Sequence, residues 1–184
     1  TRTKTSITLK WTKNTSAEGY VIEQYKNGAW TVIKTITSNA TVNYTLSGLS
    51  PSTSYKFRIK AYNVAGDNNV YSPYANNTVN TLPSNISGFG YSARTHNSIT
   101  LKWAKNASAD GYEIEQYKNG TWTTIETISG NSTVSYKITG LSASTAYSFR
   151  IRAYKECGDK IYGDYVSKSV ITLPSAVSGF TYSE

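Results

Sequence analysis

Ser6-Ile7-Thr8-Leu9-Lys10-Trp11 alternates apolar and polar side chains and ends in a tryptophan. A side-chain period of two marks a half-buried β-strand, here with its tryptophan as an anchor in a core. The same six residues return as Ser98-Ile99-Thr100-Leu101-Lys102-Trp103, 92 positions later. Residues 2–67 align with 94–159 without a gap, and 43 of those 66 positions are identical. One residue is then lost between Asp159 and Tyr162, after which Leu82-Pro83 matches Leu173-Pro174. Such a period predicts two stacked modules, each large enough for one small core.

The first repeat reads as a series of short strands. Ser6 to Trp11 is followed by a polar loop over Lys13 to Glu18 and a strand over Gly19 to Lys26. Asn27-Gly28 between strand-like runs is a strong hairpin signal, because a type I′ turn needs positive φ at both central residues. Ala29 to Ile36 returns as a strand, and Val42 to Leu46 is a short one. Gly48 to Thr53 is a corner. Tyr55 to Tyr62 is a long strand with Tyr55, Phe57, Ile59 and Ala61 on one face. Gly66 to Asn69 reads as a loop, and the last strand runs over roughly Asn76 to Leu82. Abundant Tyr, Thr, Ser and Asn, no Met and no apolar pattern at helical spacing point the same way. Short strands with turns between them indicate an all-β antiparallel sandwich, here twice in tandem.

The run Ser-Ile-Thr-Leu-x-Trp, then Gly-Tyr-x-Ile, then Gly-Leu-x-Pro-x-Thr-x-Tyr-x-Phe-x-Ile-x-Ala-Tyr resembles the fibronectin type III pattern. The resemblance covers essentially the whole chain, with Ala143 in place of Pro51 in the second copy. It implies two immunoglobulin-like sandwiches of seven strands in two sheets. Their expected cores hold Trp11, Tyr20, Ile22, Leu49 and Phe57 in one, and Trp103, Tyr112, Ile114, Leu141 and Phe149 in the other. Tyr55 and Tyr147 are expected to form tyrosine corners, bonding back to backbone near Leu49 and Leu141. Family members begin with a strand ahead of Ser-Ile-Thr-Leu. The second repeat has it in Pro83-Ser84-Asn85-Ile86-Ser87-Gly88-Phe89-Gly90-Tyr91. A further copy stands at Pro174-Ser175-Ala176-Val177-Ser178-Gly179-Phe180-Thr181-Tyr182. The expected division is therefore residues 1–82 as a domain without its first strand and 83–173 as a complete one. Residues 174–184 are then the first strand of a following module or a tail. The chain reads as a slice of a longer array, with an uncovered edge beside residues 6–11. Strand exchange between chains through residues 174–182 would cover that edge. The short linker Thr81-Leu82-Pro83-Ser84 suggests two domains end to end.

Catalytic chemistry finds little support. His96 is the single histidine, matches Lys4 in the other repeat and has no Cys or second His beside it for a metal. A Ser-His-Asp set is implausible with one loop histidine. Glu23 and Glu115 recur at matching places, with Lys56 or Arg58 and Arg150 or Arg152 as expected neighbours across the sheet. That reads as cross-strand charge pairing on a solvent-facing surface rather than a glycosidase carboxylate pair. Gly66 and Gly158 stand alone, without a phosphate-binding glycine run. No enzyme activity, cofactor or metal is expected. Cys157 is the only cysteine and matches Ala65, so no internal disulfide forms and the thiol reads as filler.

Net charge is +8, with nine Lys/Arg against three acids in residues 1–92 and ten against eight in residues 93–184. Two copies of one fold with different charge argue against a shared polyanion site. The basic stripe Lys56, Arg58, Lys60 is broken by Ser148 in the second copy, so nucleic acid is not an expected partner. No run of roughly 20 apolar residues exists for membrane insertion. Some family members bind integrins through Arg-Gly-Asp, but Ala65 and Cys157 precede Gly-Asp here, so that activity is not carried over. Asn14, Asn39 and Asn131 lie in Asn-x-Ser/Thr sequons, a weak signal in a chain this rich in those residues.

The remaining candidate binding feature is aromatic. Tyr25 faces Trp30 across Asn27-Gly28, and Tyr117 faces Trp122 across Asn119-Gly120. Paired rings near a hairpin tip can stack on sugar, or can pin the hairpin register and cover a sheet edge. Two functions follow. One is a spacer or interaction module of a larger surface or secreted protein, of the kind the resemblance connects with Gram-positive bacteria. The other is a module that binds a glycan or a host protein through these four rings. Protein or polysaccharide are the partners to test, in an extracellular or cell-surface setting. An enzyme would instead need a deep pocket with convergent polar groups.

Overall fold

The computed structural model describes residues 1–182; Ser183 and Glu184, the end of the 174–184 segment, lie outside the described residues. The chain divides into two compact units, Thr1–Leu82 and Pro83–Glu184. Among the described residues all regular structure is β.

In the first unit, β1 (Ser6–Lys10) pairs antiparallel with β4 (Asn43–Ser47) as a two-stranded sheet. Opposite it lies a larger sheet in which β2 (Gly19–Lys26) is flanked by β3 (Ala29–Ile36) and β5 (Ser54–Ala65). The outer edge of β5 is shared by β6 (Asn68–Tyr71) and β7 (Ala75–Asn80). The expected loop at Gly66–Asn69 is thus a hairpin: Gly66 takes φ +64° and lets β5 turn straight into β6. The Asn27-Gly28 turn has φ of 51° and 82°, both positive as a type I′ turn requires.

The second unit repeats the plan with one addition. Here β8 (Gly90–Arg94) pairs with β9 (Ser98–Lys102), which pairs in turn with β12 (Ser135–Thr139). The other sheet places β10 (Gly111–Lys118) between β11 (Thr121–Ser129) and β13 (Ala146–Cys157). Along the edge of β13 run β14 (Asp159–Tyr162) and β15 (Val166–Ile171). The β12–β9–β8 sheet supplies Ile99, Leu101 and Ile138 to the core; the other supplies Tyr112, Ile114, Phe149 and Ile151. Trp103 meets Tyr112 edge-on, with ring centroids 5.4 Å apart, as Trp11 meets Tyr20 at 5.3 Å.

Of the expected core residues, Tyr20, Ile22, Phe57, Trp103, Tyr112, Ile114 and Phe149 are buried. Leu49, Leu141, Tyr55 and Tyr147 are half-buried at the corners. The Ser50 N–H donates to the Tyr55 hydroxyl at 2.9 Å and the Ser142 N–H to that of Tyr147 at 2.8 Å. Trp11 is a correction: it packs on Tyr20 yet stays half-buried, because its outer side faces an open groove. Thr1 and Arg2 cover one end of the β1 edge, through the Arg2–Ile7 bridge and a bond from the Thr8 N–H to the Thr1 carbonyl at 2.9 Å. In the second unit the matching space is filled by Ile86 and Phe89, while the Ala104 N–H donates to the Ser87 carbonyl at 2.9 Å.

The sequon residues Asn39 and Asn131 hold loops together. The Asn39 side-chain amide donates to the Ala17 carbonyl at 2.6 Å, and that of Asn131 to the carbonyls of Ala109 at 3.0 Å and Asn106 at 3.3 Å. Cys157 is a free thiol at the β13–β14 turn.

Candidate functional site

The outer face of the larger sheet carries the polar and aromatic residues that the two repeats share. Alternation along β2 and β5 puts Glu23 opposite Arg58, and the pairing β10–β13 puts Glu115 opposite Arg150. The Arg58 Nε donates to Glu23 Oε2 at 2.6 Å, and the Arg150 Nε to Glu115 Oε2 at the same distance. The second unit adds a pair: where the first has Val21 and Lys60, Glu113 accepts from Arg152 Nε at 2.7 Å.

These carboxylates are not the solvent-facing groups that alternation suggests. Glu23, Glu113 and Glu115 are all buried. The cover is aromatic. The Arg58 guanidinium lies 4.4 Å from the Trp30 ring centroid and 3.9 Å from that of Tyr74. Arg150 is held the same way, 4.5 Å from Trp122 and 3.9 Å from Tyr165. Arg152 sits 3.7 Å from Tyr162 and 4.5 Å from Tyr165. Each guanidinium thus has rings on its faces and a carboxylate at its edge, a geometry that its flat charge suits.

Tyr74 and Tyr165 complete the arrangement. Both stand in the irregular stretch just before the last strand, at matching places beyond the one-residue gap, so no strand period marks them. That match is the signal by which they can be found. The Tyr74 hydroxyl donates to Glu23 Oε1 at 2.8 Å. The Tyr165 hydroxyl lies between two carboxylates, 3.1 Å from Glu113 Oε1 and in hydrogen-bond contact with Glu115. Burial and the neighbouring Glu115 carboxylate push the Tyr165 hydroxyl far above its ordinary range, so it stays a protonated donor. Burial works against charge on Glu23, but the Tyr74 hydroxyl and Arg58 outweigh it and hold the carboxyl below its usual range. A carboxylate so saturated with donors holds its charge; it is not poised to shuttle protons.

The four candidate sugar-stacking rings are placed by their hairpins. Tyr25 pairs with Trp30 in register, and Tyr117 with Trp122. The rings are crossed, at 63° and 56°, with centroids 5.3 and 5.2 Å apart. Tyr25 and Tyr117 are exposed, at 42% and 47%. Trp30 and Trp122 are half-buried, each with an arginine against one face. The structure therefore joins Tyr25 to Trp30 and Tyr117 to Trp122, and fastens both pairs to the ion-pair face. No group of three or more His, Cys, Asp or Glu side chains is arranged to hold a metal among the described residues. No helix is long and apolar enough to cross a membrane among them either.

The comparisons with known proteins agree with this architecture. The chain is 32% identical to chitinase A1 of Niallia circulans over 170 residues, which cover 85% of this chain and 22% of that protein. It is 31% identical to exoglucanase B of Cellulomonas fimi, over 85% of this chain and 15% of that protein. The chain thus spans less than a quarter of the length of these relatives. A two-domain segment of chicken tenascin superposes with a TM-score of 0.56 at 21% identity, covering 94% of this chain and 95% of that one; at that identity the likeness shows the fold. The Fibronectin type III domain family matches residues 1–78 and again residues 83–168, and the chain belongs to that family.

Proposed function

We propose that this chain is a non-catalytic spacer and interaction module of a larger extracellular protein, secreted or held at a cell surface and associated with polysaccharide-active domains. The observation that carries the reading is the Glu–Arg–Tyr–Trp face repeated in both units. Its charged groups are matched to one another, and its tryptophans are crossed by tyrosine and backed by arginine. That supports a face built for rigidity, since buried, donor-saturated networks fix one arrangement of their strands. The relatives support the setting: chitinase A1 and exoglucanase B carry the matching region as a minor part of their length.

The second reading is a glycan- or host-protein-binding module using Tyr25, Trp30, Tyr117 and Trp122. The exposure of the two tyrosines favours it. Co-sedimentation with insoluble chitin and cellulose separates the two. The spacer reading expects the chain to stay in the supernatant with both. Retention that is lost on Trp122→Ala, with the fold intact by circular dichroism, would replace it with glycan binding.

A further inference from the structure

The outer faces of the two larger sheets differ in charge balance. The outward positions of β2 and β5 hold Lys56, Arg58 and Lys60 against Glu23. Those of β10 and β13 hold Arg150 and Arg152 against Glu113 and Glu115. These strands are thus balanced in the second unit and carry two cations in excess in the first. Glu23 is already engaged by Arg58 and Tyr74. Among the described residues no ion pair reaches Lys56 or Lys60.

The second unit shows which group the first lacks. Glu113 there accepts from Arg152 Nε at 2.7 Å and from the Tyr165 hydroxyl at 3.1 Å. The matching place in the first unit is Val21, which stands opposite Lys60. The Lys60 ammonium lies 3.7 Å from the Tyr71 ring centroid and 5.0 Å from that of Tyr74, so it has rings beside it but no carboxylate. Tyr71 is 49% exposed, whereas its counterpart Tyr162 is half-buried against Arg152. A second cation, Lys56, lies 5.9 Å from the ring of Tyr25, which is also exposed; in the second unit Ser148 takes the place of that lysine. Lys56 and Lys60 are four residues apart on one strand, which separates them by about 13 Å.

We propose that this face of the first unit binds an acidic polysaccharide whose sugars carry carboxylates, a polymer of uronic acid. One carboxylate accepts from the Lys60 ammonium, in the role that Glu113 plays for Arg152. Another, further along the polymer, accepts from Lys56. Such charge-assisted bonds are the strong ones, and an ammonium has three donors to give. The exposed parts of Tyr71 and Tyr25 meet the C–H faces of the sugars at the same two ends, since the face of an aromatic ring is its negative side. Charge selects an acidic ligand, the rings select a sugar as the carrier of that charge, and the distance between the two lysines selects a polymer over a single sugar acid. The second unit has met the same need with its own Glu113 and leaves no cation in excess. This goes beyond the spacer reading and does not depend on binding to chitin or cellulose, which carry no carboxylate.

NMR titration of the whole chain with an oligogalacturonate tests the proposal, with the second unit as an internal control. The amide signals of Lys60 and Tyr71 are expected to shift saturably, and those of Arg152 and Tyr162 to stay. Lys60→Ala is expected to weaken binding about tenfold. Val21→Glu copies the second unit: it gives Lys60 a carboxylate from within, and is expected to remove binding while every cation stays. Lys60 stands on the outer face of its sheet, so Lys60→Ala keeps the test open should Val21→Glu disturb the fold. Lys13→Ala removes a loop charge of the same unit and is expected to change affinity by less than about twofold. The absence of a saturable shift overturns the proposal, and so do equal shifts in both units. Equal losses from Lys60→Ala and Lys13→Ala overturn it by showing diffuse attraction. A fully methyl-esterified oligomer that binds as well assigns the face to neutral sugar, and poly-glutamate that moves the same signals as strongly assigns it to an acidic protein; either result overturns the proposal.

Discussion

Leu9 and Leu101 stand in identical six-residue strands, yet Leu101 is fully buried and Leu9 is half-exposed. The same holds for Trp11 against Trp103, Ile59 against Ile151 and Val79 against Val170, the second of each pair being buried. The strands that carry Leu9 and Leu101 do not differ. What differs is the cover, since Ile86 and Phe89 lie over the second core and the first has the open groove. A strand's sequence thus selects which face turns inward, but the burial of that face is completed by a segment from elsewhere in the chain.

The largest expected effect comes from the two tryptophans. Trp103→Ala should cost the second unit about 3–5 kcal/mol, the range for a large ring removed from a packed core. Trp11→Ala should cost the first unit clearly less, because part of its ring already meets water. Urea unfolding followed by amide signals assigned to each unit measures both. Equal losses would break the comparison, since they require the groove to be covered in solution.

A smaller effect separates the two tyrosines. Tyr165→Phe takes a donor from two buried carboxylates and should cost about 1–3 kcal/mol. Tyr74→Phe takes one from Glu23 alone and should cost nearer the lower end, about 1 kcal/mol. The same unfolding series checks it, and a reversed order would show that the added Glu113–Arg152 pair makes Tyr165 dispensable.

The smallest is a pH effect. The Asp110 carboxylate accepts from Lys155 Nζ at 2.7 Å and from the Glu156 N–H at 2.9 Å, and these hold its carboxyl below the usual range. A folded-state pKa below the unfolded one gives stability that is present above the unfolded value of about 4 and is lost as pH falls through the folded one. Asp110→Asn should flatten the acid limb of the second unit by a few tenths of a kcal/mol, since the pair is about one-third exposed. The first unit has Glu18 and Asn63 at these places and should keep its own acid limb, to which Glu23 contributes with the same sign. Thermal melts at stepped pH read the difference.

Much of this fold is legible in the sequence because its signals are local. Ser6 to Trp11 carries its period, Asn27-Gly28 its turn, and Tyr55 its corner. The register Tyr25–Trp30 follows from a two-residue turn. The aromatic face is legible only in part. Glu23 and Arg58 follow from alternation, but the burial of Glu23 depends on Tyr74, 51 residues away and outside any regular strand. The β6 and β14 hairpin arms were also hidden, because Asn68-Asn69 and Asp159-Lys160 have loop composition and gain their strand geometry only from pairing with β5 and β13. Distance along the chain and neighbour-dependent burial lie beyond what period and turn chemistry encode.

The two hairpin tips have a consequence for chemical ageing. In Asn27-Gly28 and Asn119-Gly120 both residues are exposed, and no side chain on the glycine shields its backbone nitrogen. That nitrogen can attack the asparagine side-chain amide, expelling ammonia to give a succinimide, which water reopens to aspartate or isoaspartate. The first product places a negative charge beside Lys26 or Lys118. The second inserts an extra backbone carbon into a turn whose two-residue length sets the register of Tyr25 against Trp30 and Tyr117 against Trp122. The residues that make the hairpins easy to fold are therefore the ones that date the molecule, and a long-lived chain would record its age first at these tips.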